Sequence, residues 1–270
     1  MIQSFKNTLK KLAIASILLP LADMASATVV QFQTNLGTFE INLYDETAPI
    51  TVNNFLSYVS DMSYNDTVIH RSVPDFVIQG GGYLLDEDTQ LEDIQSKGAI
   101  QNEPVHTSLR GTIAMAKLGG NPNSATSEWF INLKNNSTTL DNQNGGFTVF
   151  GKVTGDGMSV VDAIANLPRP LLNTNTAFPT IPLQDVTPQT EALARDNFIV
   201  IESITVLDAS IDTAAALDKP LNTLVGTNTV SGGGSGSDSG GGSFSYWYLI
   251  LLGLVACSRY FFVSVSTKQD

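Results

Sequence analysis

The fold turns on Val68-Ile69-His70-Arg71-Ser72-Val73-Pro74-Asp75-Phe76-Val77-Ile78-Gln79-Gly80-Gly81. Val68–Arg71 and Phe76–Gln79 are short runs of β-branched and aromatic residues, which predict strands. Arg71 then ends one strand, with Phe76, Ile78 and Gln79 along the next. The Gly80-Gly81-Gly82 run is the kind of backbone that cradles phosphate, but no P-loop Lys-Ser/Thr pair follows it.

The pattern continues on both sides. Upstream, Thr28–Gln33 and Thr38–Leu43 alternate apolar and polar residues around a hairpin turn at Asn35-Leu36-Gly37. Pro49 suits a first helical turn, and Val52, Phe55, Leu56 and Val59 follow at helical spacing. Downstream, Thr112–Met115, Trp129–Leu133, Thr148–Val153 and Phe198–Val206 are strand-like. A second short helix is expected over Gly157–Ala165, with Met158, Val161 and Ile164 on one face. Five prolines (168, 170, 179, 182 and 188) mark a long ordered loop before the last strand. Many short strands with two helices predict a closed β-barrel with helical lids.

Composition narrows the chemistry. The 270 residues suffice for one domain plus extra segments, and 42% hydrophobic content excludes a wholly disordered chain. A net charge of −12 argues against general nucleic-acid binding, which needs Lys and Arg to meet phosphates. With two His and one Cys a Cys/His metal site is nearly excluded, and the single Cys257 leaves the main domain without a disulfide. His70 and His106 suit acid–base work, yet spacing identifies no nucleophile beside a base, and no Gly-x-Ser-x-Gly elbow occurs.

Two further segments carry information. One is Arg110-Gly-Thr-Ile-Ala-Met-Ala-Lys-Leu-Gly-Gly-Asn-Pro-Asn-Ser-Ala-Thr-Ser-Glu-Trp-Phe-Ile-Asn132; the other is Leu140-Asp141 with Phe147-Thr-Val-Phe-Gly-Lys152. Together with the opening stretch, in this order and spacing, they resemble the cyclophilin family of peptidyl-prolyl cis/trans isomerases, especially its bacterial periplasmic branch. The resemblance covers roughly residues 28–207. The family pattern Phe-His-Arg-x-x-Pro-x-Phe-x-Ile-Gln-Gly-Gly is matched from Ile69 to Gly81, with Ile69 in place of Phe. The fold so implied is mainly β: a closed eight-stranded antiparallel barrel with two capping helices.

The resemblance also implies the site. Arg71 takes the catalytic position, and Gln79 that of the residue orienting Arg and substrate. Phe76 and Val77 match the proline-pocket pair, Phe130 its floor and Leu140 its rim. Ala116 and Lys117 match a pair whose backbone meets the peptide. His70, Glu128 and Phe147 complete the substrate-binding set. Departures are Glu128 for Gln, Thr139 for Trp or Phe, Phe147 for His or Tyr, and Lys117 for Asn. Thr139 lacks the indole that donates to cyclosporin in the family, so weak inhibition is expected. The partners so implied are proline-containing unfolded or folding polypeptides, met by a monomer that uses no cofactor, metal or nucleic acid. The departures leave an alternative: a catalytically weak peptide-binding module of the same fold at the cell surface.

The ends read differently. Residues 1–27 combine basic Lys6, Lys10 and Lys11, an apolar run from Leu12 to Leu21, and a small-residue Ala25-Ser26-Ala27 cleavage site. That is a signal peptide, with Thr28 as the mature start. Residues 28–210 form the expected isomerase domain and 211–243 a linker whose Ser231–Ser243 portion is purely Gly, Ser and Asp. Residues 244–265 form an apolar transmembrane or sorting segment carrying Tyr246, Trp247 and Tyr248, and 266–270 a polar end. The uncharged run 244–257 is short for a span of about 20 residues. The tail resembles a GlyGly-type sorting signal. The expected location is the periplasm, tethered by the tail, or the cell surface after tail cleavage.

Overall fold

A computed structural model describes residues 28–170, 178–187, 192–209, 214 and 217–225. The leader 1–27, the Gly/Ser stretch, the apolar segment 244–265 and the end 266–270 lie outside them. Among the described residues no helix is long and apolar enough to cross a membrane.

The chain opens with β1 (Val29–Thr34) and β2 (Gly37–Leu43), a hairpin registered from Val29↔Asn42 to Thr34↔Gly37. Its turn is fastened by the Thr34 hydroxyl donating to the Gly37 carbonyl at 2.6 Å. Helix α1 (Pro49–Ser60) follows and buries Thr51, Val52, Phe55, Tyr58 and Val59, one face at three- and four-residue spacing. Its first turn carries no acid of its own. The Glu103 carboxylate accepts from the Ile50 and Thr51 N–H groups at 3.2 and 2.9 Å, an anion at the positive end of the helix.

Next come β3 (Thr67–Val68), β4 (Arg71–Val73), β5 (Val77–Gly80), β6 (Tyr83–Leu85) and β7 (Leu91–Asp93). Then follow β8 (Thr112–Met115), β9 (Trp129–Asn132), the one-turn helix α2 (Ser137–Leu140), β10 (Val149–Val153), α3 (Gly157–Ala165) and β11 (Val200–Asp208). All strands join one curled antiparallel sheet, ordered β4-β5-β9-β8-β10-β2-β1-β11-β3-β6-β7. The strand expected over Val68–Arg71 is interrupted at Ile69-His70. There the chain leaves β11 and β6 for β5 at the far end of the order. The β6–β7 hairpin and α2 go beyond the sequence-based expectation.

The sheet curls around an apolar core holding Phe32, Phe39, Phe55, Ile78, Ile113, Trp129, Ile131 and Phe150, with α1 and α3 packed onto it. Phe32 stacks on Phe39 at 4.8 Å and meets Trp129 edge-on at 5.2 Å. The triple glycine serves this packing. A Cβ on Gly81 (φ +79°) would lie 2.7 Å from the Trp129 indole nitrogen, and one on Gly82 2.9 Å from Glu128 Cγ. Residues 217–225, assigned by sequence to the linker, pack along segment 105–107. Asn222 N–H donates to the Val105 carbonyl at 2.8 Å, and Leu221 bridges His106.

Candidate active site

Register builds the site. Arg71 pairs with Gln79, Gln79 with Phe130, Phe130 with Ala114, and Ala114 with Val149. Directly paired residues share a face of the sheet, so these five form one row. The alternate row of Ser72, Ile78, Ile131 and Ile113 faces the opposite way; its three isoleucines belong to the main core. The first row, with Val77, feeds a separate apolar cluster that includes Ala116, Leu140 and Phe147.

On this face Arg71, Phe76, Val77, Phe130, Leu140 and Phe147 line an open depression of about 180 Å³. Phe130 meets Phe147 edge-on at 5.6 Å, closing one corner. Phe76 is half-buried and sits 6.0 Å from the Arg71 guanidinium carbon. Its carbonyl is held by Leu133 N–H at 2.8 Å and by the Asn136 side-chain amide at 2.9 Å. Leu140 ends α2. The buried carboxylate of the next residue, Asp141, anchors that end by accepting from Ser108 N–H at 2.8 Å and from the Thr107 hydroxyl.

Arg71 is 7% exposed. Its Nη1 donates to Gln79 Oε1 at 3.1 Å, and Gln79 Nε2 donates to Glu128 Oε2 at 2.7 Å. An ionised carboxylate only accepts, so Glu128 dictates which end of the Gln79 amide faces Arg71. The three form a directed chain, in which the oxygen end of Gln79 aims the guanidinium. Burial pushes the Arg71 pKa down to about 10, and the Glu128 carboxylate acts in the opposite direction, so the group is charged at neutral pH. His70 is 2% exposed, with Nε2 3.4 Å from Glu128 Oε2 in poor hydrogen-bond alignment and its ring edge-on to Tyr83 at 4.9 Å.

Six of the sequence-predicted residues thus meet at the depression, while five stand off it. Gln79 and Glu128 lie behind Arg71, and His70 lies behind Glu128. The Ala116 N–H donates to the Glu128 carbonyl at 2.9 Å. The Lys117 side chain turns inward beneath Phe147, with its nitrogen 4.7 Å from that ring's centroid. Thr139 is exposed. Sequence reasoning quoted Asp141 without giving it a role and missed Asn136 and Asn102; all three hold the walls through backbone groups that only the fold brings near. Among the described residues no group of His, Cys, Asp or Glu is arranged to hold a metal ion.

The family model for cyclophilin type peptidyl-prolyl cis-trans isomerase/CLD matches residues 29–186. A peptidyl-prolyl cis-trans isomerase of Acinetobacter baylyi is 40% identical over 189 residues, covering 68% of this chain and 97% of that protein. Peptidyl-prolyl cis-trans isomerase B of Escherichia coli is 39% identical over 142 residues, covering 50% and 82%. A solved cyclophilin type isomerase of Cryptosporidium parvum gives a TM-score of 0.48 at 20% identity, covering 67% and 98%.

Proposed function

The chain belongs to the cyclophilin-type peptidyl-prolyl cis-trans isomerases, and from that premise we propose that the depression beside Arg71 is where it isomerises Xaa-Pro bonds. The observation that carries this reading is the cross-strand row Arg71–Gln79–Phe130, which sets an aimed guanidinium beside an apolar socket.

Amide resonance gives the Xaa-Pro bond a barrier of about 20 kcal/mol, so isomerisation takes tens of seconds. No covalent step is needed. As the amide twists, the prolyl nitrogen becomes pyramidal and regains a lone pair. Arg71 donates to that nitrogen or to the carbonyl oxygen, and the contact strengthens in the twisted state. Phe76, Val77, Phe130, Leu140 and Phe147 grip the ring while the preceding residue rotates. Each tenfold of rate requires about 1.4 kcal/mol, so one such hydrogen bond with good positioning accounts for several decades.

The reading extends to the fold and the ends. Segment 67–73 pairs toward both ends of the strand order, which supports closure into the eight-stranded barrel of the family. Residues 1–27 export the chain, and the apolar segment tethers it in the periplasm or is cut for release at the surface. Its clients there are proline-containing exported polypeptides, and it acts as a monomer. Cell fractionation, with N-terminal sequencing expected to begin at Thr28, tests the export reading.

For the activity, cis-to-trans relaxation of Xaa-Pro peptides is followed with the full chain. Wild type is expected to accelerate it, and Arg71→Ala to lose most of the acceleration with Tm unchanged. Equal turnover by the two proteins overturns the assignment.

A further inference from the structure

The pocket's second wall rests on an unusual turn. Asn144, Gly145 and Gly146 have φ of +51°, +75° and +72°, three consecutive left-handed residues. Glycine enters that region freely and asparagine readily, so the sequence permits the turn and outside support decides where it sits. The turn's carbonyls receive that support: Asn102 Nδ2 donates to Gly145 and Gly146 at 3.0 and 2.9 Å, and Lys117 Nζ donates to Asn144 at 3.0 Å and to Gly146. Asn144 returns a bond from its own amide to the Leu118 carbonyl at 2.9 Å. The next residue is Phe147, whose ring lies under the Lys117 ammonium.

We propose that Lys117 is a positioning residue whose ammonium group clamps the 144–147 turn and so holds the Phe147 ring in place as a wall of the substrate pocket. This rests on the pocket being the isomerase site. Lys117 is 4% exposed, and its partners are carbonyl oxygens and a ring face rather than a carboxylate. Burying an ammonium in that way is unfavourable for stability, and methionine would fill the same space without the penalty. A role in packing alone leaves the charge unexplained; a role in holding the turn and the ring accounts for it.

The titratable groups on flanking segments are engaged elsewhere. Glu103 binds Thr51 and the start of α1, and Asp141 binds Thr107 and Ser108. His106 contacts Thr47, Lys219 lies over the Tyr44 ring, and Arg71 across the pocket binds Gln79. Burial lowers the Lys117 pKa to about 8. Above that pH the ammonium loses its charge, and with it the attraction to the Phe147 ring and one donor.

The test compares the full-length wild type with Lys117→Met and Lys117→Gln, separating KM from kcat on an Xaa-Pro peptide. Losing a buried cation–ring contact predicts a KM about fivefold higher in Lys117→Met, with kcat within about twofold. Lys117→Gln, which keeps a donor, falls between. Wild-type KM rises between about pH 7 and 9, centred on the Lys117 pKa of about 8, whereas that of Lys117→Met is flat. Stability moves the other way. In this window the unfolded chain binds more protons at Lys117 than the folded chain, so wild-type Tm relative to Lys117→Met rises with pH. The Phe147 ring resonances shift with the same midpoint in wild type. Equal KM in wild type and Lys117→Met, or a pH-dependent rise that persists in Lys117→Met, overturns the clamp. Should Lys117→Met not fold, the same two criteria apply to Lys117→Gln, with a reduced KM change and a flat pH profile expected. Retained turnover in Arg71→Ala rejects the pocket itself, whereas loss in Arg71→Ala beside an unmoved KM in both Lys117 variants rejects only the clamp.

Discussion

The two walls of the pocket are built by different means. Arg71, Gln79 and Phe130 stand on neighbouring strands, where ladder pairing fixes spacing and direction. Leu140 and Phe147 stand on a one-turn helix and a left-handed turn, held by side chains reaching backbone carbonyls and N–H groups. The strand wall matches the family pattern almost residue for residue. The departures at Lys117, Thr139 and Phe147 fall on or beneath the loop wall, while Glu128 and the core residue Ile69 lie behind the strand wall. A ladder allows little adjustment without moving the core behind it, whereas a loop can exchange side chains singly. On the proposed reading the strand wall carries the rate of bond rotation, while the grip on the proline ring is shared, with the loop wall as the part of it that can vary.

That division can be broken at several points. The largest effect is expected from Arg71→Lys. A mobile ammonium cannot reproduce the planar fork aimed by Gln79, so kcat should fall about a hundredfold while peptide affinity holds within a few-fold. Equal loss in kcat and affinity would blur the two walls. Next, Thr139→Trp restores an indole to the loop wall. It should tighten cyclosporin binding about thirtyfold, equivalent to roughly 2 kcal/mol, with turnover nearly unchanged, as titration calorimetry would show. Phe147→Ala removes an edge-on partner of Phe130 and should raise KM about tenfold with kcat within a few-fold. A collapse of kcat there would assign catalysis to the loop wall as well.

The smallest effect is expected at Glu128. Its carboxylate reaches Arg71 through Gln79 and retains partial exposure, with its side chain 26% accessible. Glu128→Gln should keep turnover within a few-fold and weaken any preference for Lys or Arg beside the proline. The preference is measured as kcat/KM for matched basic and acidic peptides, and it should shrink with added salt. A large rise in turnover on every peptide would mean instead that the carboxylate holds the guanidinium back.

Legibility in the sequence follows the same division. Alternation located β1 and β2, short strand-like runs located β5, β8, β9, β10 and β11, and helical spacing located α1 and α3. Val68–Arg71 read as one strand, since nothing local marks the point where a chain changes neighbours. Tyr83–Leu85 and Leu91–Asp93 have three residues each, and Ser137–Leu140 has four; such lengths carry no period. The glycine run suggested an anion cradle, but its constraint is the Trp129 ring some fifty positions away. Lys117 was placed near the peptide through its backbone. That its side chain turns inward to carbonyls 27 and 29 residues ahead is a product of tertiary packing alone. His70 sits between Glu128 and Tyr83, at the break between β3 and β4 and one position before the row that forms the depression.

The central claim is that Arg71, held on the strand wall by Gln79, lowers the barrier to rotation rather than merely binding the peptide. NMR exchange spectroscopy on a saturating Xaa-Pro peptide measures the on-enzyme isomerisation rate and the Kd separately, for the full chain and for Arg71→Ala. The account predicts a rate lowered about a hundredfold or more, with Kd within a few-fold and Tm unchanged. An on-enzyme rate that is the same in both proteins would contradict it and leave a peptide-binding module in place of a catalyst.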